Sequence, residues 1–162
     1  MSNWVNIIQE QTKQFNLLAG NETKLTAEDM RNQFKYIFEE VKEIEEALDK
    51  DDAVKLVDGV IDSFVTLFGL ASKLETLWVD MTRAARETCA NNLSKFPVSE
   101  EVAYATANKL AREGDVCSVV YNPEFSRYAI LDQNNKVRKP IGFVSNDLSG
   151  CVPAQKISEL KC

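Results

Sequence analysis

The sequence predicts an all-α fold, a four-helix bundle with a small β-hairpin appended toward its C-terminal end. Three observations carry that prediction. Apolar residues recur at helical spacing from Trp4 to Cys89. Gly and Pro, the residues that interrupt helices, number only six and four in 162 positions, too few to break the long periodic runs. Only beyond Gly114 does the pattern change to short β-branched and aromatic runs bounded by turn residues.

The first helix is expected over Asn3 to Leu18, where Trp4, Ile7, Ile8, Phe15 and Leu18 keep mostly helical spacing and Gly20-Asn21 closes the segment. Thr26, followed by Ala27, Glu28 and Asp29, reads as an N-cap with an acidic first turn, opening a second helix that runs to about Leu48. Its apolar stripe, Met30, Phe34, Ile37, Val41, Ile44 and Leu48, alternates steps of four and three. After the short polar break Asp49 to Asp52, either Asp51 or Asp52 can cap a third helix carrying Val54, Val57, Ile61, Val65 and Phe68 on one face. So short a break favours antiparallel neighbours. Ser72 to Glu75 either bends this helix or continues it, and Leu77, Met81, Ala84, Ala85, Thr88 and Cys89 give a fourth helical pattern that ends near Asn91-Asn92.

Pro97 then marks a stop, Glu100 to Glu113 reads as a fifth helix, and Gly114-Asp115 turns the chain. Cys117 to Tyr121 and Tyr128 to Leu131 are strand-like, separated by Asn122-Pro123 and followed by a turn at Asp132 to Asn135. Ser145 to Cys162 carries no clear signal. The whole reads as a single domain over residues 1–162, with 1–96 as helical core and 97–162 as extra helix, hairpin and tail.

Composition narrows the chemistry. A chain 44% hydrophobic and 27% charged folds rather than stays disordered. No segment reaches the roughly 20 apolar residues that span a bilayer, and the first residues lack a signal peptide's basic start and unbroken apolar middle. A cytoplasmic protein without membrane association is therefore expected. Cys89, Cys117, Cys151 and Cys162 are widely spaced and no histidine is present, which argues against structural zinc and for free thiols. A net charge of -6 with no basic cluster argues against nucleic-acid binding. Without histidine, hydrolytic chemistry must rest on carboxylates, Lys, Tyr, Cys or a hard metal ion.

Carboxylates are what the sequence gathers. On the second helix Glu40 and Glu43 border the apolar stripe, with Glu39 farther round and nearer to Glu43; on the third, Asp58 and Asp62 stand at i and i+4, also on the border. Lys42 is the single basic residue between Tyr36 and Asp49. Two like charges about 4 Å apart repel by roughly 4 kcal/mol at an effective dielectric near 20. Convergence of these acids therefore calls for a cation, and oxygen-only donors select a hard one such as Mg²⁺, held by carboxylates and substrate phosphates. Taken singly, each acid is more simply the solvated face of a helix, which is the reading for Glu45, Glu46, Asp49, Asp51 and Asp52.

Glu39-Glu40-Val41-Lys42-Glu43-Ile44, followed after a gap by Asp58-Gly59-Val60-Ile61-Asp62-Ser63-Phe64 and on to Gly69, resembles the EExxE and ExxD half-motifs of all-α nucleoside triphosphate pyrophosphohydrolases, in the MazG-like form common in phages. The resemblance implies Mg²⁺-dependent cleavage of an NTP or dNTP to the monophosphate and pyrophosphate, with Mn²⁺ as a substitute ion. It implies Glu40, Glu43, Asp58 and Asp62 as metal ligands and Glu39 as the group that orients or deprotonates water. One position departs from the pattern: ExxD spacing would place a carboxylate at Gly59. Ala90 to Phe96 resembles the segment after the fourth helix of phage-type members, which implies Asn92 and Lys95 as phosphate contacts. The run Val137 to Phe143 resembles that subgroup's tail and adds Lys139. Relatives are dimers or dimers of dimers, so a homodimer or homotetramer is implied. Tyr36, Phe38, Trp78 and Trp4 are candidates to stack on a base, though aromatics on helices are more often core. The rival readings are a catalytically weakened nucleotide-binding or protein-interaction relative, a hydrolase of alarmone nucleotides, and a helical interaction module whose acids are simply solvated.

Overall fold

The computed structural model describes residues 4–20 and 26–153. Asn21 and Cys162 lie outside them, as do the ends of the segments expected to begin at Asn3 and to finish at Cys162. Among the described residues the chain is mostly helical, with a small two-stranded antiparallel sheet, and it divides into two compact units, residues 1–81 with 149–162 and residues 82–148.

The first unit is built on α1 (Trp4–Leu18), α2 (Ala27–Asp49) and α3 (Ala53–Thr76). α2 begins where its residues dictate: the Thr26 side chain accepts from the Asp29 backbone N–H while the Asp29 carboxylate accepts from the Thr26 N–H at 2.8 Å, a reciprocal capping box. Of the two aspartates offered for the next cap, Asp52 takes the role, accepting from the N–H groups of Val54 and Lys55. Asp51 instead makes the turn, at φ 53.

α2 and α3 pack closely because small residues line the contact. A Cβ placed on Gly59 would lie 3.0 Å from Ile44 Cγ1, and one on Gly69 would lie 3.0 Å from Gln33 Nε2. Gln33 donates across to the Thr66 carbonyl at 2.9 Å. With residue 44 level with 59 and residue 33 level with 69, the pair runs antiparallel. α1 packs on α3, Trp4 meeting Phe64 edge-on at 5.1 Å. α3 runs straight through Ser72 to Glu75 and ends at Thr76; Trp78 follows at φ 63, exposed.

Two expectations are revised here. The apolar stripe of α2 was expected to face its neighbour, yet Phe34 is 63% and Leu48 61% exposed, and Val41 is exposed as well. Of that stripe Ile44 does meet α3, at Gly59, and Ile37 is half-buried; Gln33 and the Glu40 backbone carbonyl are the other α2 groups placed against the α3 glycines. Likewise Val54, at 80%, and Val57 on α3 face outward, while Gly59, Ser63 and Gly69 are buried. Small residues allow close approach, with Ile44 seated on Gly59, while Phe34, Val41, Leu48, Val54 and Val57 are left exposed.

The second unit holds most of α4 (Met81–Leu93), α5 (Glu100–Arg112) and the hairpin β1 (Ser118–Asn122) and β2 (Arg127–Leu131). Four helices in sequence were expected to form one bundle; the three helices of the first unit are α1 to α3, and α4 from Thr82 onward belongs with α5 and the hairpin. Ser99 caps α5, and the strands pair in the register Ser118↔Leu131 to Asn122↔Arg127. Ala103, Ala107 and Ile130 form the core between helix and hairpin, joined by Leu110, Cys117, Val119 and Tyr128. Asp132 organises the turn after β2, accepting from the Asn134 and Lys136 N–H groups at 2.9 Å each, and Arg138 bridges Asp132 and Asp115. No described helix is long and apolar enough to cross a membrane.

Candidate functional site

The acids of the sequence motif lie on the α2–α3 pair, within the first unit. Around a helix at about 100° per residue, Glu39 and Glu43 fall to one side of the α2 face that meets α3, and Asp58 and Asp62 fall to one side of the α3 face that meets α2. In an antiparallel pair these are the same side. Glu40 lies at the junction, half-buried, its backbone carbonyl opposite Gly59. Its carboxyl is pushed above the ordinary carboxylate range, first by burial and then by the charges of Asp62, Glu43, Glu39 and Asp58 in that order. All five motif carboxylates therefore share one electrostatic neighbourhood.

Gly59, the position where the motif departs from its pattern, has a structural account. It is buried against Ile44, and a Cβ there would lie 3.0 Å from Ile44 Cγ1, so that neighbour would have to give by a few tenths of an ångström. Glycine brings α2 and α3 together, and Asp58, one residue earlier and exposed, carries the carboxylate instead. Asp58 is 3.6 Å from Lys55 Nζ, an exposed i,i+3 pair worth little by itself.

The oxygen-only donor set fits a hard divalent cation. As placed, no three acidic or thiol groups among the described residues close round a common point. Glu39, Glu43, Asp58 and Asp62 are exposed, and mutual repulsion favours their spreading into solvent.

The other site residues expected from sequence lie in the second unit. Asn92 and Lys95 do meet: Lys95 Nζ donates to Asn92 Oδ1 at 2.8 Å, at the C-terminal end of α4 where a cation complements the helix dipole. Lys139 Nζ lies over the Phe143 ring at 4.9 Å, beside a cavity of about 220 Å³ that Lys109 and Thr106 also line. Of the aromatic candidates, Trp4 is taken up by Phe64, Phe38 lies under Lys42 Nζ at 5.9 Å, and Tyr36 and Trp78 are exposed.

Sequence reasoning passed over Lys50 and Lys55. Both line a cavity of about 470 Å³ at the α2–α3 turn, together with Glu43, Glu46, Ala47 and Asp52. The signal was available for Lys55, which stands three residues before Asp58 and so shares its side of α3.

No protein-family model matches the chain, and neither curated proteins nor solved structures give a match. The functional reading accordingly rests on the motif residues and the surroundings of Glu40.

Proposed function

We propose that the chain is a Mg²⁺-dependent nucleoside triphosphate pyrophosphohydrolase of the MazG-like kind, converting an NTP or dNTP to its monophosphate and pyrophosphate. The observation that supports it is the half-buried Glu40 with four further carboxylates acting on it from two helices. Burial of a carboxyl among the charges of acids on both helices is unfavourable without a cation, which a solvated helix face would not require.

In this reading Glu40, Glu43, Asp58 and Asp62 would hold the ion, which when bound would supply positive charge against the phosphates. Glu39 accepts the proton of the attacking water; a new P–O bond forms, the bond between α- and β-phosphates breaks, and pyrophosphate leaves. Asn92, Lys95 and Lys139 are the proposed phosphate contacts implied by the resemblance, and Mn²⁺ serves as a substitute ion.

We propose further that the chain is a homodimer or dimer of dimers, whose four-helix bundle arises from α2 and α3 of two copies. The exposed Phe34, Val41 and Leu48 support this, because large apolar side chains repeating every seven residues on one side of α2 are the kind that assemblies cover. The catalytic reading is tested by a screen of common NTPs, dNTPs and alarmone nucleotides with Mg²⁺, products resolved by anion exchange. Monophosphate with pyrophosphate is the expected outcome; orthophosphate as primary product refutes it.

A further inference from the structure

The hairpin of the second unit has one closed edge and one open edge. Along β2 the outward backbone groups are taken: Tyr128 donates to the Pro97 carbonyl, Arg138 donates to the Ile130 carbonyl, and beyond the strand Asp132 donates to the Lys136 carbonyl. In an antiparallel strand the N–H and C=O of one residue point to the same side, and the side alternates along the chain. Tyr128 and Ile130 therefore point away from β1, and Arg127, Ala129 and Leu131 point toward it. By the register, Ser118, Val120 and Asn122 bond to β2, while Val119 and Tyr121 turn their N–H and C=O groups to the far edge. Among the described residues no bond from outside the hairpin reaches those four groups, and β1 packs against no other element than β2 and α5.

Proteins guard such edges with a charged side chain, a proline or a bulge. β1 has none of these from Ser118 to Asn122: its five residues are uncharged and pair one for one with β2, in a chain of net charge -6. Val120 and Tyr121 are exposed. The strand is complementary to itself. A second β1 laid antiparallel about Val120 sets Val119 opposite Tyr121 on both sides of the axis, so all four open groups find partners and no acid meets an acid. A β-branched residue opposite an aromatic is a favourable cross-strand pair. Sliding the pairing toward the hairpin turn would set Val119 opposite Pro123, which has no N–H to donate.

We propose that β1 is a self-pairing edge, through which two copies of this chain join their hairpins into one continuous antiparallel sheet. A five-residue edge is a small contact beside the roughly 1,000 Å² that a stable interface buries. It therefore joins copies that are already paired. The proposal rests on the dimer-of-dimers reading and supplies its second interface, apart from the exposed face of α2.

The test is mass by light scattering and sedimentation across protein concentration, for wild type, Val120→Lys, Val120→Glu and Val120→Thr. Val119 belongs to the core with α5, so Val120 points to the opposite face, where a substitution leaves the hairpin intact. In the self-pair the two Val120 side chains stand directly opposite, in the closer, non-hydrogen-bonded position. Wild type should pass from dimer to tetramer as concentration rises. Val120→Lys and Val120→Glu should each move that step roughly tenfold upward, through lost packing and like-charge repulsion, and Val120→Thr should keep it. An equimolar mixture of the Lys and Glu variants should recover the tetramer, which also shows that both fold. Unshifted tetramers of the two charged variants overturn the inference, and so does a mixture that recovers nothing. A wild type that never exceeds a dimer overturns the β1 edge and leaves the α2 interface standing. A dimer that persists in Phe34→Glu with Val41→Glu and is lost on adding Val120→Lys does the opposite.

Discussion

Asp62→Asn separates a metal site from a solvated helix face most directly. Asp62 is the largest charge acting on Glu40, and its own backbone carbonyl, which accepts from Thr66 Oγ1 at 3.1 Å, is untouched by the substitution. Two like charges about 4 Å apart cost roughly 1 kcal/mol in the dielectric of water and about four times that at a dielectric of 20, less at longer separation. Asp62 is exposed, so the lower figure applies, and salt screens it further. Summed over the neighbouring acids, Asn should stabilise the metal-free protein by about 1 kcal/mol, or roughly 2–4 °C in Tm for a chain of this size. Mg²⁺ at about ten times its Kd should stabilise wild type by about 1.4 kcal/mol, and the variant by almost nothing. The assay is a paired melt, with chelator and with Mg²⁺, beside pyrophosphate release. Glu43→Gln should behave alike. Wild-type melting in both conditions together with wild-type turnover would refute the metal site.

Three further outcomes follow from the same geometry. Glu40 has its folded pKa raised above the ordinary 4.5, so the folded state holds that proton more tightly; its stabilising contribution is complete below 4.5 and is lost as pH rises through the folded value. In chelator, wild-type Tm should therefore fall across this range more steeply than that of Glu40→Gln, and parallel curves would contradict the burial and crowding of Glu40. Asp132 has its pKa lowered, chiefly by the Lys136 N–H, so the turn after β2 should weaken as pH falls through the folded value, and Asp132→Ala should lower Tm at pH 7 while losing that acid limb. Phe34→Glu with Val41→Glu should reduce the mass seen by light scattering to that of a monomer while leaving helical circular dichroism unchanged; an unaltered mass would remove this face from the interface.

Much of the local structure was legible because it depends on neighbours in sequence. Thr26 before α2, and Asp52 as one of the two aspartates offered before α3, satisfy orphan amides within a few residues, and the sequence shows the partners; the Ser99 cap of α5 went unread although it has the same form. The motif acids were legible for a similar reason, since spacing alone puts Glu40 with Glu43 and Asp58 with Asp62 on a helix border. What spacing could not supply was the rotation of each helix about its axis. Of the large side chains of α2 assigned to the contact with α3, Ile44 meets buried Gly59, but Phe34, Val41 and Leu48 are exposed. Nor could spacing divide the chain after Met81, because Leu77 and Met81 continue a helical period across a break that Trp78 makes at positive φ.

Gly59 joins these threads, and its substitution is the final test. In an isolated helix Gly59→Ala should stabilise by about 1 kcal/mol through propensity. Here the new methyl meets Ile44 Cγ1 at 3.0 Å, so Ile44 must give by a few tenths of an ångström, and overpacking of this kind costs about 1–3 kcal/mol. The net expectation is neutral to about 2 kcal/mol destabilising. Ile44→Ala opens a gap on the other side of the same contact, and the double variant should fill it. The two substitutions should therefore couple favourably, by about 1 kcal/mol or more in a double-mutant cycle from urea melts. Ile44 follows Glu43 and lies one turn from Glu40, so a shift of α2 also moves the carboxylates. Gly59→Ala should weaken Mg²⁺ binding although no ligand is changed, and the double variant should recover part of it. Additive stabilities with unchanged Mg²⁺ affinity would mean that the close approach at Gly59 does not set the spacing of the acids, and the glycine at the motif position would lose its structural explanation.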